Sequence, residues 1–245
     1  DRVSGGEHDV GGQVAVFSAQ PVTDPAADAG HRRGQGAAVH QEHGRVVVGV
    51  VGVATLEHAD VVDEPVVKSV IAEAAEWLGG GIDVLLHIAG VLDGADVDLE
   101  EFPEETWDRV IDINLKGSFL IAKQVAAVMR PVGRGVMVLT SSGAGVKGGS
   151  SSFAYGSSKG GVHGLAMVLE QRLALYGIRV NDVAPGNIYT PLKIAQVRET
   201  FKQTGDAQQH ERTMASLADP SGVASLMAFL ASDDADYVRG TIFTR

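Results

Sequence analysis

Tyr155 and Lys159, four residues apart, are the pair in this chain whose types and spacing best suit proton transfer. On a helix, residues at this spacing project from one face about one turn apart. An ammonium beside a phenol favours the phenolate and lowers the pKa of the phenol from about 10. Ser142 lies thirteen residues before Tyr155, where its hydroxyl could reach the same reacting oxygen. The pattern predicts that Tyr155 exchanges a proton with a bound ligand.

Tyrosine and lysine also occur at this spacing by chance on surface helices, so the surrounding elements decide the interpretation. The apolar run of residues 136–140 is typical of a buried strand, and a Gly/Ser-rich loop joins it to a helix predicted over residues 155–176. Further elements are predicted at 65–78 (helix), 82–88 (strand), 103–129 (helix), 178–183 (strand), from Asp219-Pro220 (helix) and 241–245 (strand). This alternation predicts an α/β fold, a Rossmann-like doubly wound parallel sheet in a single domain spanning residues 1–245.

Composition bounds the function. The formal net charge of −11 argues against a nucleic-acid partner, because phosphate binding needs basic surface. With no cysteine, the chain has no disulfide, thiolate nucleophile or cysteine-based metal site. No apolar run is long enough to span a bilayer, and no secretory leader is recognisable, so we expect no membrane association and a cytoplasmic location.

Residues 1–54 differ from the rest of the chain. The runs at 12–17 and 44–51 are apolar enough for buried strands, whereas residues 19–43 show neither helical nor strand periodicity. Five of the eight histidines fall before residue 60: His8, His31, His40, His43 and His58. None forms an H-x-x-x-H pair on a convincing helix, so we predict no metal site.

Small and hydroxyl-bearing residues follow the predicted strands. In doubly wound sheets ligands bind beyond the carboxyl ends of the strands. Those ends here are Asp60, Ala89-Gly90, Ser141-Ser142 and Pro185-Gly186. Any one of them is ordinary turn chemistry. Four along one sheet edge favour a cofactor groove.

Several short motifs follow one another along the chain: Asp60-Val61, HIAG at 87–90, NLKG at 114–117, Ser142, YGSSK at 155–159 and PGNIYT at 185–190. In this order and spacing, the chain resembles the short-chain dehydrogenase/reductase family over about residues 55–245. The resemblance implies a nicotinamide cofactor, NAD or NADP, and reversible oxidation of a secondary alcohol to a ketone.

The resemblance also implies roles for individual residues. Tyr155 resembles the family's acid/base. Lys159 resembles the residue that binds the nicotinamide ribose and lowers the tyrosine pKa. Ser142 would hydrogen-bond the substrate oxygen, and Asn114 would kink its helix and hold a water of the proton relay. Further cofactor contacts are implied at Asp60, Val61, Ala89, Gly90, Pro185, Gly186, Ile188 and Thr190.

The chain departs from the family pattern at two places. His87 stands where the family has asparagine. No glycine-rich phosphate loop follows the apolar run at 14–17, and we attribute the G-x-x-x-G-x-G spacing of Gly30, Gly34 and Gly36 to chance. Because residues 20–43 lack any pattern, we hypothesise that a misread stretch begins near residue 20 and ends between residues 43 and 54. Peptide mass spectra matching 20–43 as written would refute this.

Alternative functions follow from the second departure. An active oxidoreductase is favoured by the set of Asn114, Ser142, Tyr155 and Lys159, and a non-catalytic binding or scaffold protein by the missing phosphate loop. An epimerase or dehydratase is less well supported, because such relatives append a C-terminal substrate domain. Residues 190–216 are interpreted as a substrate lid or an amphipathic surface helix. The partner expected is a small alcohol or carbonyl substrate. The resemblance to the family also implies self-association as a dimer or tetramer through helices 103–129 and 155–176.

Overall fold

The computed structural model describes residues 14–18, 45–50 and 57–244 of the chain. Its strands are Val14–Ser18 (β1), Arg45–Val50 (β2), Glu57–Asp60 (β3), Val84–His87 (β4), Gly135–Thr140 (β5), Ile178–Ala184 (β6) and Gly240–Phe243 (β7). Its helices are Glu64–Trp77 (α1), Glu104–Ile111 (α2), Gly117–Val132 (α3), Gly143–Val146 (α4), Phe153–Leu173 (α5), Pro191–Thr204 (α6), Ala207–Ser216 (α7) and Pro220–Ala231 (α8). The predicted misread block at 20–43, the glycines Gly30, Gly34 and Gly36, and four of the histidines (His8, His31, His40 and His43) lie outside the described residues.

The strands form one sheet in the order β3-β2-β1-β4-β5-β6-β7. β1 and β4 to β7 pair in parallel, as the sequence predicts, whereas β2 is antiparallel to both β1 and β3. A parallel connection needs a crossover of about a dozen residues or more. Only residues 51–56 join β2 to β3, which is too short for such a crossover, so β2 runs antiparallel within the otherwise parallel sheet.

Helices cover both faces of the sheet. α1, α3 and α5 pack on one face, where Met137 and Leu139 of β5 lie in the main core cluster. α8 packs on the other face, where Val138 of β5 contacts a smaller cluster that includes Met227 and Leu230. Because side chains alternate along a strand, β5 contributes to both cores. The three-layer α/β architecture predicted from the sequence is confirmed.

The helix predicted over residues 103–129 is two helices joined by a turn of π-helix at Asp112–Lys116. A π turn inserts one extra residue into the helical repeat and so rotates everything beyond it. Helical periodicity over residues 103–129 predicts an apolar face that includes Trp107 and Phe119. Phe119, beyond the turn, is 47% exposed, and Trp107, before it, is 38% exposed. Asn114, at the centre of the turn, is fully buried.

The bounds of the other predicted helices agree with the observed ones to within a few residues, and side-chain caps determine where these helices begin. Asp63 accepts a hydrogen bond from Val66 N at the start of α1, and Asp219 accepts one from Ser221 N at the start of α8. α5 begins at Phe153, two residues before the predicted start, because Ser152 caps it. In residues 57–244 no helix is long and apolar enough to cross a membrane, and no group of three potential metal ligands occurs there.

Candidate active site

A groove of about 470 Å³ opens at the carboxyl ends of β4, β5 and β6. The residues predicted for catalysis or cofactor binding that line it are Gly90, Ser142, Tyr155, Lys159, Pro185, Gly186, Ile188 and Thr190. Apolar side chains, including Ile88, Leu92 and Met227, make up much of the remaining wall. The topology thus brings residues from distant parts of the sequence into one concave site, as the strand-end rule predicts.

Tyr155 lies in the first turn of α5, where a cap holds it in place. The Ser152 hydroxyl accepts a hydrogen bond from Tyr155 N at 3.2 Å and donates to Asp93 O at 2.6 Å. This pair of bonds ties the start of α5 to the loop after β4. Lys159 is 4% exposed, and its Nζ lies 6.0 Å from the centroid of the Tyr155 ring. Its ammonium donates to Thr140 O, at the end of β5, at 2.7 Å.

The pKa of Tyr155 departs from its ordinary value in the opposite direction to that expected from Lys159 alone. Burial raises the pKa of Tyr155, and a hydrogen bond with the Ser142 hydroxyl opposes this rise. Burial also lowers the pKa of Lys159 to about 8, against the effect of the Asp182 carboxylate. Because the phenolate loses solvation in the groove, the expected lowering of the Tyr155 pKa is wrong for this structure. A phenol that stays protonated suits proton donation.

Ser142 is held at the junction between β5 and α4. Its backbone is extended, and its Oγ accepts a hydrogen bond from Ala144 N at 3.3 Å, which caps the short helix. The residue is 9% exposed and lines the groove beside Tyr155. The hydroxyl and the phenol are thus the two donors that a substrate oxygen would meet together.

Asn114 supports the groove from behind. Its Oδ1 accepts from Val91 N at 2.8 Å, and its Nδ2 donates to Val91 O and to Ser158 Oγ, both at 2.9 Å. These bonds join the π turn, the loop after β4 and α5. A Cβ atom added at Gly90 would lie 3.2 Å from Asn114 Oδ1 and 3.0 Å from Lys159 Nζ. Asn114 therefore lies next to the groove through Gly90.

Three predicted cofactor residues do not line this groove. Asp60 lies at the end of β3, and its Oδ1 accepts from Val62 N at 3.1 Å. Val61 is fully buried, and its side chain fills the space beside Gly117. Ala89 is 2% exposed. The cofactor contacts of these three residues stay predictions.

His87, which stands where the family has asparagine, is buried and in contact with Ser118. The side chain is 1% exposed, and its Nε2 lies 3.0 Å from Ser118 Oγ. Burial, reinforced by the charge of Lys159, lowers the pKa of His87 to about 3, so the imidazole is neutral. The bonds of Asn114 to Val91 hold the adjacent loop.

Sequence reasoning missed Asp182, a fully buried carboxylate on β6. Its oxygens accept from Ser141 N at 3.0 Å and Ser141 Oγ at 2.8 Å, next to Ser142. Its Oδ2 also lies 3.2 Å from His163 Nδ1. A buried carboxylate requires partners, so an aspartate inside an apolar strand was the signal available in the sequence.

The groove fits the nicotinamide half of a dinucleotide. The absence of a side chain at Gly90 and Gly186 leaves backbone accessible, and Lys159 offers a cation with further N–H donors to ribose hydroxyls. Pro185, Ile188 and Thr190 also line the groove. The segment in which the family places its phosphate loop lies outside the described residues.

The chain is similar in sequence to known dehydrogenases and reductases. Residues 32–244 match the family model described as enoyl-(acyl carrier protein) reductase. Levodione reductase of Leifsonia aquatica is 34% identical over 188 residues, which cover 75% of this chain and 70% of the relative. The (3R)-3-hydroxyacyl-CoA dehydrogenase of Mus musculus is 35% identical over 183 residues, 74% of this chain and 68% of the relative.

The chain is also similar in fold to solved structures. Levodione reductase superposes with a TM-score of 0.70 at 33% identity, covering 76% of this chain and 72% of the other. NAD⁺-bound xylitol dehydrogenase superposes with a TM-score of 0.68 at 31% identity, covering 76% of this chain and 75% of the other. These relatives are dehydrogenases and reductases, so the non-catalytic alternative gains no support from them. The chain belongs to the short-chain dehydrogenase/reductase family of NAD(P)-dependent oxidoreductases.

Proposed function

We propose that the protein interconverts a secondary alcohol and a ketone, with Tyr155 as the acid/base. The observation that carries this proposal is the convergence of Tyr155, Ser142 and Lys159 in one groove, together with Gly90 and Gly186, whose backbone a nicotinamide could approach. Membership of a family of NAD(P)-dependent oxidoreductases supports it. When bound, the nicotinamide supplies or accepts the hydride.

The residues of the groove then have distinct tasks in ketone reduction. Hydrogen bonds from the Tyr155 and Ser142 hydroxyls polarise the carbonyl, so that hydride addition places negative charge where both donors point. Tyr155 transfers its proton to that oxygen as the C–H bond forms, which yields the alcohol. The Lys159 ammonium stabilises the phenolate left behind until solvent reprotonates it. The hydrogen bonds of Asn114 hold the loop after β4 in place against α5.

Titrating the protein with NADH and NADPH and following nicotinamide fluorescence tests the cofactor half of the proposal. We expect saturable enhancement with one or both nucleotides. Oxidation of a panel of simple secondary alcohols then tests the chemistry. A protein that binds neither nucleotide would contradict the proposal and restore the scaffold alternative.

The pH dependence of ketone reduction is expected to report the charge of Lys159. Since the pKa of Lys159 is about 8 and burial keeps Tyr155 protonated at that pH, kcat/KM should fall as pH rises above 8. Asp182 raises the pKa of Lys159, so Asp182→Asn should move this fall to lower pH. Exposed Asp108→Asn serves as the control, and an unchanged profile in Asp182→Asn would refute the assignment.

We further propose that the protein forms a homo-oligomer, a dimer or tetramer, through α3 and α5. Large apolar side chains on these helices face solvent: Phe119 is 47% exposed and Val168 is 50% exposed. Val168→Glu would place a charge within a buried interface and should yield monomers in light scattering after size-exclusion chromatography. Leu99→Glu, on an exposed turn outside both helices, should leave the assembly unchanged. A monomeric wild-type protein would contradict the proposal.

Two finer expectations also stay proposals. The α6–α7 segment, residues 191–216, is proposed to cover the substrate, because Leu192, Lys193 and Gln196 of α6 line the groove. The cytoplasmic location is proposed from the sequence, and cell fractionation tests it.

A further inference from the structure

A second cavity, of about 300 Å³, adjoins the groove beneath α6 and α7. The two share four lining residues: Ser151, Asn187, Lys193 and Gln196. Nearly all side chains around the second cavity carry polar groups, and only Val197 and Phe201 do not. A molecule whose reacting carbon lies beside Tyr155 therefore has a polar space within reach.

One wall of this polar cavity is a chain of hydrogen bonds with an ammonium at one end and a carboxylate at the other. Lys193 Nζ donates to Gln196 Oε1 at 2.8 Å, and Gln196 Nε2 donates to Thr200 Oγ1 at 3.1 Å. Thr200 Oγ1 donates in turn to Asp96 Oδ2 at 2.8 Å. Burial lowers the pKa of Lys193, and the charge of Asp96 opposes this, which agrees with their proximity. This series of hydrogen bonds holds the Lys193 ammonium and the Asp96 carboxylate along the wall.

Asp96 reaches this wall through an unusual backbone conformation. Its φ is +60°, and no other non-glycine residue in the described part of the chain has a positive φ. Its N donates to Ser151 O at 2.7 Å, which ties it to the rim shared with the groove. Aspartate adopts this left-handed conformation more readily than most other residues. The conformation places the Asp96 carboxylate at the cavity.

The mixture of charges decides which ligand chemistry fits. An anionic group would meet the carboxylates of Asp96 and Asp206, and a cationic group would meet Lys193. An apolar group would cover the ammonium without replacing its hydrogen bonds to water. A hydroxyl group both donates and accepts, so neighbouring hydroxyls can satisfy a carboxylate and an ammonium at once.

We propose that this cavity binds a neutral, hydroxyl-bearing arm of the substrate, with Lys193 donating to one hydroxyl and Asp96 accepting from another. The inference rests on the proposed oxidoreductase function and narrows its substrate class to polyhydroxylated alcohols and ketones. Lys193 and Asp96 are then specificity determinants that touch the substrate far from the reacting carbon.

The test compares two five-carbon alcohols, an acyclic pentitol and pentan-2-ol, as substrates for oxidation. We expect a higher kcat/KM for the pentitol in the wild-type protein. Lys193→Met and Asp96→Asn should each lower that value by about tenfold, because each removes a hydrogen bond between a charged group and the arm. Each should change pentan-2-ol oxidation less than about threefold. The matched controls are Lys202→Met and Asp98→Asn, whose side chains lie outside the cavity and are exposed.

The possible results separate this inference from the function on which it rests. Tyr155-dependent oxidation of pentan-2-ol with poorer use of the pentitol would overturn the inference and leave the function standing. If kcat/KM fell equally for both alcohols in the two variants, the inference would also be overturned, because the side chains would then not distinguish a substrate with a hydroxyl-bearing arm. A wild-type protein that oxidises neither alcohol overturns it as well, and the nucleotide titration then decides separately on the function.

Discussion

Replacing Tyr155 with phenylalanine is expected to lower kcat for alcohol oxidation and ketone reduction by about 10²–10⁴-fold, the usual contribution of a positioned general acid/base. The variant keeps the ring and loses only the hydroxyl that shares a hydrogen bond with Ser142. The cap from Ser152 to Tyr155 N involves only the backbone of residue 155 and so survives the change. Steady-state kinetics with any accepted alcohol measures the effect.

Two comparisons show whether the loss is chemical. Nucleotide binding by Tyr155→Phe should stay within a few-fold of wild type, because Lys159 and the strand-end backbone remain in place. Tyr237→Phe is the control: the side chain is 97% exposed and lies outside the groove. Turnover that survives in Tyr155→Phe would remove Tyr155 from the mechanism.

The Gly145→Ala variant is expected to disturb the site from outside it and to destabilise the fold. A Cβ at Gly145 would lie 2.5 Å from Gly160 N and 2.8 Å from Gly156 O, both in the backbone of α5. Neither atom can move without shifting the helix that carries Tyr155 and Lys159. Overpacking of this kind costs about 1–3 kcal/mol or more. A displacement of about 1 Å at the reacting groups can lower the rate by about 10²-fold.

Gly164→Ala provides the matched control in α5 itself. Nothing lies within 4 Å of a Cβ at that position, and alanine in a helix interior is more stable than glycine by about 0.5–1 kcal/mol. We therefore expect thermal unfolding at a lower temperature for Gly145→Ala and at the same or a higher temperature for Gly164→Ala. Equal stability and activity in Gly145→Ala would mean that α4 and α5 are not in the close contact described.

The parts of the site that sequence reasoning found are those set by local spacing. Tyr155 and Lys159 share a helix face because the helical repeat brings residues four apart together. The groove followed from a topological rule, since parallel strands end at one edge of the sheet. Neither step needed knowledge of distant contacts.

The parts that it missed depend on contacts between distant segments. The partners of Asp182 are Ser141, directly after β5, His163 in α5 and Thr241 in β7, all at least 19 residues away in the sequence. The exposure of Phe119 follows from one inserted residue in the π turn around Asn114, which periodicity cannot reveal. The raised pKa of Tyr155 depends on how deeply its hydroxyl is buried, whereas spacing supplied only the neighbouring charge of Lys159.

Deuterium transfer from the nicotinamide to a ketone is the sharpest test of hydride transfer with Tyr155 as the acid. NADH or NADPH carrying deuterium at C4 of the nicotinamide is incubated with the protein and an accepted ketone, and the alcohol is examined by mass spectrometry. We expect one deuterium on the carbinol carbon, with the hydroxyl proton drawn from solvent through Tyr155. An alcohol formed without deuterium from either face of the nicotinamide, or formed equally well by Tyr155→Phe, would contradict it.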